Sequence, residues 1–214
     1  FFSVGREEID RYEETVRIGN NDPNYSADHI RALHDLGYLP IEIRSVPEGT
    51  RVPMRVPAMT IHNTHDDFAW LTNYLETQIS AETWKVPTAA TIAAEYRRVF
   101  DHYAELTGGD PQFVPWQGHD FSLRGMSGIE DGAKCGAGHL LSFLGTDTVP
   151  AIHYAQEFYG AGKFVGGSVP ATEHSVMCAG GDDEEATINR LLDVYPKGII
   201  SVVSDTWDFW DVVT

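Results

Sequence analysis

The most constraining feature of the sequence is an alternation that begins near residue 113, where short apolar runs are separated by helical patterns. Residues 140–144 are mostly apolar and lead into Gly-Thr-Asp-Thr at 145–148, and residues 199–203 are mostly apolar and lead into Ser-Asp. The segments between such runs have helical spacing, including an acidic stretch at 183–194. Strands that alternate with helices indicate parallel βα units, and βα barrels place their chemistry at the carboxyl ends of the strands.

The preceding part of the chain has a different pattern. Residues 41–61 alternate apolar and polar side chains around a Pro-Glu-Gly turn signal at 47–49, which predicts an antiparallel hairpin. Thr64 and Asp67 have the spacing of a helix cap, so we expect a helix that begins there and continues to about residue 79.

The clearest helix is predicted to begin near Thr88 and to end at Gly108. Its apolar stripe has 4-3-4-3 spacing and comprises Ile92, Tyr96, Val99, Tyr103 and Leu106. We therefore expect an α/β protein with an N-terminal mixed α+β flanking domain at 1–112 and the first part of a βα barrel at 113–214.

Charge and composition exclude several classes of partner. The 15 Lys and Arg residues are outnumbered by 32 Asp and Glu residues, which gives a net charge of −17. Such a chain repels phosphate backbones and anionic bilayers, so we expect neither a nucleic-acid groove nor a membrane partner. Apolar runs fall short of the ~18 residues that a spanning helix needs. The two cysteines fit no disulfide framework, and a reducing, cytoplasmic location is expected.

Residues 119–125 combine four kinds of chemistry in one short segment. His119 and Asp120 could form an acid–base pair, Phe121 offers a face for a planar ligand, and Arg124 offers a fork for phosphate. The structural alternative is a strand end with Phe121 in the core and Arg124 paired to Asp120.

Two further segments carry titratable groups where predicted strands end. Asp147 either caps the following helix or presents an ionised carboxylate that accepts hydrogen bonds from an amide. His174 follows Glu173, and an imidazole beside a carboxylate suits acid–base or phosphoryl-transfer chemistry because its pKa lies near neutrality.

The remaining candidates are Ser201 and Asp205, which flank the end of the last predicted strand. Asp205 could orient an imidazole or hold a hydroxyl group, and the alternative is a helix cap. His62 and His65 could share a metal only with a third ligand, and the sequence offers none at readable spacing. No metal-ligating residues are therefore predicted.

Taken in order along the chain, these motifs resemble the nicotinamide phosphoribosyltransferase family. The matching segments of the second half are His-Asp-Phe-x-x-Arg-Gly at 119–125, Gly-Thr-Asp-Thr at 145–148, Ser-Val-Pro-Ala-x-Glu-His-Ser at 168–175 and Ser-Val-Val-Ser-Asp at 201–205. The first half matches at 39–43, 46–49, 63–64 and 70–77. The resemblance covers nearly the whole chain.

The resemblance implies a homodimeric type II phosphoribosyltransferase with its active site at the subunit interface. Its fold would be an irregular βα barrel with a mixed α+β flanking domain. Such enzymes join nicotinamide to phosphoribosyl pyrophosphate with Mg²⁺, and they release nicotinamide mononucleotide and pyrophosphate in NAD salvage. ATP would act as a coupled activator that phosphorylates the catalytic histidine.

Residue by residue, the resemblance assigns Phe121 to stacking on the pyridine ring and Arg124 to the diphosphate. Asp147 would accept a hydrogen bond from the carboxamide. A carboxylate at this position accepts a hydrogen bond from an amide and repels a carboxylate ligand, so we expect nicotinamide to be preferred over nicotinate.

The same resemblance assigns His174 as the catalytic histidine near the diphosphate. Asp205 matches a second catalytic position, and Ser201 matches a position in the substrate pocket. The expected transition state carries positive charge on the ribose while an anion leaves, so cationic groups and a metal should stabilise it.

The chain departs from the family pattern in two respects. Ser122 and Leu123 occupy positions where the family commonly has Gly-Tyr. Family members also continue past Asp205 into further barrel strands with phosphate-binding loops, and they carry an upstream aromatic residue that the partner subunit contributes. Because the sequence begins at Phe1 and ends in exposed aromatic residues, we expect it to be part of a longer polypeptide, inactive alone.

Three other interpretations remain open at this point. The chain could belong to a nicotinate phosphoribosyltransferase, or to a truncated, non-catalytic paralogue that only binds nucleotide or dimerises. An unrelated βα-barrel hydrolase would use His119 and Asp120 as its acid–base pair.

Overall fold

The computed structural model describes residues 1–214 as a mixed α/β protein with two compact units, residues 1–85 and 86–214. The helices are α1 (Arg6–Asn20), α2 (Asp28–Leu36), α3 (Leu71–Thr83), α4 (Lys85–Thr107), α5 (Val114–Gln117), α6 (Ile129–His139), α7 (Val149–Tyr159), α8 (His174–Ala179), α9 (Glu184–Val194) and α10 (Phe209–Val213). The strands are β1 (Ile41–Ser45), β2 (Met59–Asn63), β3 (His119–Asp120) and β4 (Gly145–Thr146).

A buried carboxylate ties α1 to the start of α2 in the first unit. Glu13 accepts a 2.9 Å hydrogen bond from the backbone N–H of Ala27 and pairs with Arg17 and Arg31. The Ala27 hydrogen bond and the Arg31 guanidinium hold the pKa of Glu13 below its ordinary value. The charge is therefore retained beside the small apolar core that contains Ile9.

The predicted hairpin is confirmed, because β1 and β2 pair antiparallel with Ile41 opposite Asn63. The helix predicted to begin at Thr64 is wrong in its start. The backbone N–H of Thr64 donates to Pro40 instead, which extends the hairpin, and His65 Nδ1 accepts from Asp67 to cap a short 3-10 turn. The regular helix α3 then begins at Leu71.

The long helix of the second unit is also confirmed, with bounds of Lys85–Thr107 and a left-handed Gly108 at φ 70° after its last residue. The predicted apolar stripe, however, is exposed, and Leu106 has 68% of its surface accessible. A different face of the helix packs, since Ala93 is buried and the Phe100 ring lies 5.8 Å from that of Phe143.

Parallel pairing with intervening helices organises the rest of the second unit. β3 pairs parallel with β4, and two isolated parallel bridges follow, Gly145 with Gly167 and Ala171 with Ser201. Helices α6, α7, α8 and α9 lie between these segments in the chain. The alternation of extended and helical segments expected from the sequence is present, and the complete barrel stays a prediction.

Two predicted strands are wrong in extent. Residues 140–143 continue the last turns of α6, because Leu140 and Phe143 donate to carbonyls of that helix. The N–H of Leu144 donates to Pro115 instead, and the strand β4 comprises only Gly145 and Thr146. In the run 199–203, the strand-like backbone pairing is confined to Ser201, whose N–H donates to Pro170 and whose carbonyl accepts from Thr172. The N–H of Val203 donates to the Thr172 hydroxyl.

The compact units divide at Lys85, whereas the sequence places a domain boundary near residue 112. The flanking domain at 1–112 and the barrel portion at 113–214 stay predictions. No helix in the structure is both long enough and apolar enough to cross a bilayer.

Helix α6 packs closely on α7 through buried small residues, among them Ala133 and Gly136. A Cβ on Gly136 would lie 2.6 Å from Ala151 Cβ and 2.9 Å from Asp120 Oδ2. Neither contact is compatible with the van der Waals radii, so the helices can approach only because Gly136 has no side chain.

Gly136→Ala should therefore destabilise the protein by about 1–3 kcal/mol, the usual cost of overpacking a core. Thermal unfolding followed by circular dichroism measures this as a lower melting temperature. Gly162→Ala is the matched control, because a Cβ there has open space around it. Equal melting temperatures for both variants would contradict the close packing of α6 on α7.

Candidate functional site

The carboxyl ends of the parallel segments bring together residues that are far apart in the sequence. The Asp147 N–H donates to the Asp120 carbonyl at 2.9 Å, and the Thr146 N–H donates to the Gly167 carbonyl at 2.9 Å. These bonds align β3, β4 and Gly167 side by side. The residues that follow each segment, among them Phe121, Asp147 and Ser168, consequently meet at one edge.

Asp147 lies at the centre of this edge as an ionised acceptor. Its Oδ1 accepts hydrogen bonds from His119 Nε2 at 2.9 Å and from Ser168 Oγ at 2.5 Å. Burial would raise the pKa of Asp147, but the hydrogen bonds from Ser168 and His119 and the nearby charge of Arg124 outweigh it and hold the pKa below its ordinary value.

The alternative function of Asp147 as a helix cap is wrong. The residue at the cap position of α7 is Thr148, and no side chain caps that helix. The Asp147 carboxylate instead points to His119 and Ser168 and keeps Oδ2 without a hydrogen bond from this chain.

His119 contacts both Asp147 and Phe121. Its ring lies 4.6 Å from the Phe121 ring at an interplanar angle of 32°. A Cβ on Gly145 would be 2.7 Å from His119 Nδ1, so the imidazole lies directly against the backbone of β4. Phe121 is 57% exposed, and the interpretation that places it in the core is therefore wrong.

His119 and Asp120 do not form an acid–base pair. Successive residues of a strand point to opposite faces, so His119 faces Asp147 while Asp120 is buried. Asp120 Oδ1 accepts from the Ser122 N–H at 2.9 Å, and its Oδ2 is buried without a partner. Arg124 makes no ion pair with Asp120, and its charge acts on Asp147 instead.

A second group of predicted residues lies after the bridge between Ala171 and Ser201. The ring of His174 contacts Thr206 Oγ1 through Nδ1 at 3.2 Å and faces Asp205 Oδ1 through Nε2 at 3.8 Å. Both side chains are exposed, His174 by 63% and Asp205 by 69%. Asp205 is not a cap, because Asp208 caps α10.

Sequence reasoning missed two of these contacts. Ser168 lies in a matched motif that assigns it no contact, and Thr206 lies outside the matched motifs. A hydroxyl residue just after a predicted strand end is the only signal in the sequence that could have identified either one.

Two concave regions of the second unit lie near these groups, but neither is lined by Phe121, Arg124 or Asp147. One, of about 600 Å³, is lined by the end of α4 and by α5, and the other, of about 390 Å³, includes His119 and Asp120. Hydrogen bonds and exposed rings at the strand ends therefore define the candidate site better than cavity size does. No group of three or more His, Cys, Asp or Glu side chains is arranged to hold a metal.

His139, the last residue of α6, contacts β4 through its side chain, because its Nε2 lies 3.0 Å from the Gly145 carbonyl oxygen. Burial lowers the pKa of His139 below its ordinary value, although the contact with Gly145 opposes that shift. The imidazole is therefore neutral when folded at pH 7, and unfolding exposes it to protonation as the pH falls.

The stability that His139 contributes should be present above the ordinary histidine pKa, near 6.5, and should be lost as the pH falls through the lowered value. The urea midpoint of unfolding should therefore fall between pH 7.5 and pH 5.5, and it should fall further for the wild-type protein than for His139→Gln. His153→Gln, on the exposed side of α7, is the control. A drop of equal size in wild type and His139→Gln would contradict this assignment.

Comparison with known proteins defines the class to which this arrangement of strand ends belongs. Residues 116–214, which contain all of the strand-end residues described above, match the model of the nicotinate phosphoribosyltransferase (NAPRTase) family. The chain therefore carries a phosphoribosyltransferase domain of that family.

Curated relatives make the assignment more specific. The chain is 55% identical over 208 residues, 96% of its length, to a nicotinamide phosphoribosyltransferase of Acinetobacter baylyi. It is 37% identical over 181 residues to a protein of the same name from Xanthomonas campestris, and 36% identical over 166 residues to one from Mycoplasma genitalium. The chain spans 41%, 38% and 34% of the lengths of these relatives, respectively.

Proposed function

We propose that the protein carrying this chain is a nicotinamide phosphoribosyltransferase, which joins nicotinamide to phosphoribosyl pyrophosphate and releases nicotinamide mononucleotide and pyrophosphate in NAD salvage. The observation that carries the proposal is the ionised Asp147, linked through His119 to the exposed ring of Phe121. An aromatic face beside an amide acceptor is complementary to a pyridine ring that bears a carboxamide.

In this proposal, Phe121 stacks on the pyridine ring and Asp147 accepts a hydrogen bond from the carboxamide N–H. The pyridine nitrogen is already nucleophilic, so the protein has to position the base rather than activate it. The new bond forms between that nitrogen and C1′ of the ribose while the bond from C1′ to the pyrophosphate oxygen breaks.

The leaving pyrophosphate is assigned to Arg124 and His174, with Asp205 as a second catalytic residue and Ser201 as a residue of the substrate pocket. Arg124 offers a bidentate donor to phosphate oxygens, and His174 is exposed at the end of an adjacent parallel segment. Both groups stabilise negative charge that develops as the bond breaks, which is where electrostatic catalysis is most effective.

Mg²⁺ is the proposed cofactor, and it would neutralise charge on the diphosphate. Mg²⁺ is commonly bound by one or two carboxylates and by substrate phosphates, so it does not need a cluster of protein ligands. The exposed carboxylate of Asp205 beside His174 fits this requirement. ATP is proposed as an activator that transfers its γ-phosphoryl group to a ring nitrogen of His174 and leaves as ADP.

The wider architecture belongs to the same proposal. The protein would be a cytoplasmic homodimer with its active site at the interface, built on an irregular βα barrel with a flanking α+β domain. The run of parallel segments from β3 to Ser201 supports the barrel.

Nicotinate phosphoribosyltransferase is the second candidate, because the matching family model carries that description. The curated relatives favour nicotinamide, and so does the charge on Asp147, which opposes a carboxylate ligand. The two candidate functions share the same chemistry. They differ only in whether Asp147 would face the carboxamide of nicotinamide or the carboxylate of nicotinate.

The proposal is tested by incubating the protein that carries this chain with phosphoribosyl pyrophosphate, Mg²⁺ and equal amounts of nicotinamide and nicotinate, with and without ATP. Mass spectrometry identifies the product. Nicotinamide mononucleotide is expected, nicotinate mononucleotide would establish the second candidate, and no product from folded protein would favour a paralogue that only binds nucleotide.

Asp147→Ser should let nicotinate compete, because the variant loses the charge that repels a carboxylate. The preference for nicotinamide should fall about tenfold, the equivalent of one charged hydrogen bond of about 1.5 kcal/mol. Competition kinetics with both bases measure the ratio of the two kcat/KM values. Asp193→Ser, an exposed residue of α9, is the control, and an unchanged ratio in Asp147→Ser would refute the role.

A further inference from the structure

We propose that His119 is the positioning residue of the base site, fixing the carboxylate of Asp147 and the ring of Phe121 at the same time. This inference rests on the proposed function, since it assigns a role within the same site. It concerns a residue that neither the sequence motifs nor the comparison with relatives assigns to the reaction.

Two hydrogen bonds fix the orientation of the Asp147 carboxylate. Oδ1 is occupied by two donors, His119 Nε2 and Ser168 Oγ, whereas Oδ2 has no hydrogen bond from the chain. An ionised carboxylate with one oxygen held from two sides cannot rotate freely. Oδ2 is thereby left as the acceptor that faces the ligand.

The contact with Asp147 also determines which ring nitrogen of His119 carries a hydrogen. An ionised carboxylate has no proton to donate, so the 2.9 Å contact requires the hydrogen to be on His119 Nε2. Nδ1 lies against Gly145, where a Cβ would approach it to 2.7 Å. The close approach of β4 therefore limits rotation of the imidazole and directs Nε2 toward Asp147.

The His119 imidazole also contacts Phe121. The imidazole ring lies 4.6 Å from the phenyl ring, at an angle of 32°, and supports one side of it. The phenyl ring is still 57% exposed, so a large part of its surface can receive a planar ligand. His119 consequently fixes the positions of both the Phe121 ring and the Asp147 carboxylate.

Two substitutions separate these contributions. His119→Phe keeps an aromatic ring next to Phe121 and removes the hydrogen-bond donor, whereas His119→Gln keeps an N–H donor and removes the ring. If His119 had only a structural role, both variants would lose activity in the same way. The loss would then be equal for nicotinamide and for nicotinate.

The experiment compares kcat and KM for nicotinamide and nicotinate in the wild-type protein and in both variants. His119→Phe should raise the KM for nicotinamide about tenfold with little change in kcat, and it should reduce the preference for nicotinamide, because one charged hydrogen bond is lost. His119→Gln should keep the preference and raise KM for both bases. A wild-type preference in His119→Phe would overturn the proposal.

A second measurement does not depend on turnover. Carboxyl-carbon NMR reports the pKa of Asp147, which should rise in His119→Phe relative to the wild type and stay lowered in His119→Gln. A wild-type protein that converts neither base refutes the proposed function alone. An Asp147 pKa that is unchanged in folded His119→Phe refutes the positioning role whatever the activity.

Discussion

The parallel pairing of β3 with β4, and of β4 with Gly167, is the interaction on which the candidate site depends. Each pair contributes few hydrogen bonds, yet together they place the ends of three segments at one edge. Two adaptations maintain this pairing: Gly145 leaves room for the His119 ring, and His139 holds the Gly145 carbonyl from the helix side. Without this alignment, Asp147 would have neither of its hydrogen-bond donors.

The charge distribution of the site differs from that of the chain as a whole. A net charge of −17 disfavours any broad interaction with polyanions. Arg124 and His174 nevertheless follow two parallel segments, and the proposed function assigns a diphosphate to the N–H donors of these two side chains. The Asp147 carboxylate carries a negative charge at the position where the carboxamide is proposed to bind. A compact ligand with an anionic end and a neutral amide end matches this separation of charge better than a polymer does.

The sequence predicted those features that depend on local pattern. The β1–β2 hairpin, helix α4 and the order of βα units follow from side-chain period and from Gly and Pro signals, and all three are present. The failures occur where the hydrogen-bond partner and not the side-chain period decides the structure, or where a different face packs. Residues 140–144 are apolar enough for a strand, but the N–H groups of residues 140–143 complete the turns of α6 and that of Leu144 donates to Pro115. The stripe on α4 has the period of a buried face, although a neighbouring face carries the contact with Phe143.

At the site, the sequence identified residue types, and the structure supplied their partners. Asp147 and His119 were both candidates, but adjacency in sequence suggested that His119 would pair with Asp120. Only the register of β3 against β4 shows that the imidazole turns the other way, toward Asp147. Ser168 could not be singled out, because its role depends on the bridge between Gly145 and Gly167 and not on its neighbours in the chain.

The most direct test of this account is a crystal structure of the protein that carries this chain, with nicotinamide bound. The account predicts the pyridine ring stacked on Phe121 and the carboxamide nitrogen about 3 Å from Asp147 Oδ2, with His119 and Ser168 still on Oδ1. A pyridine ring bound elsewhere, or a carboxamide turned away from Asp147, would contradict it.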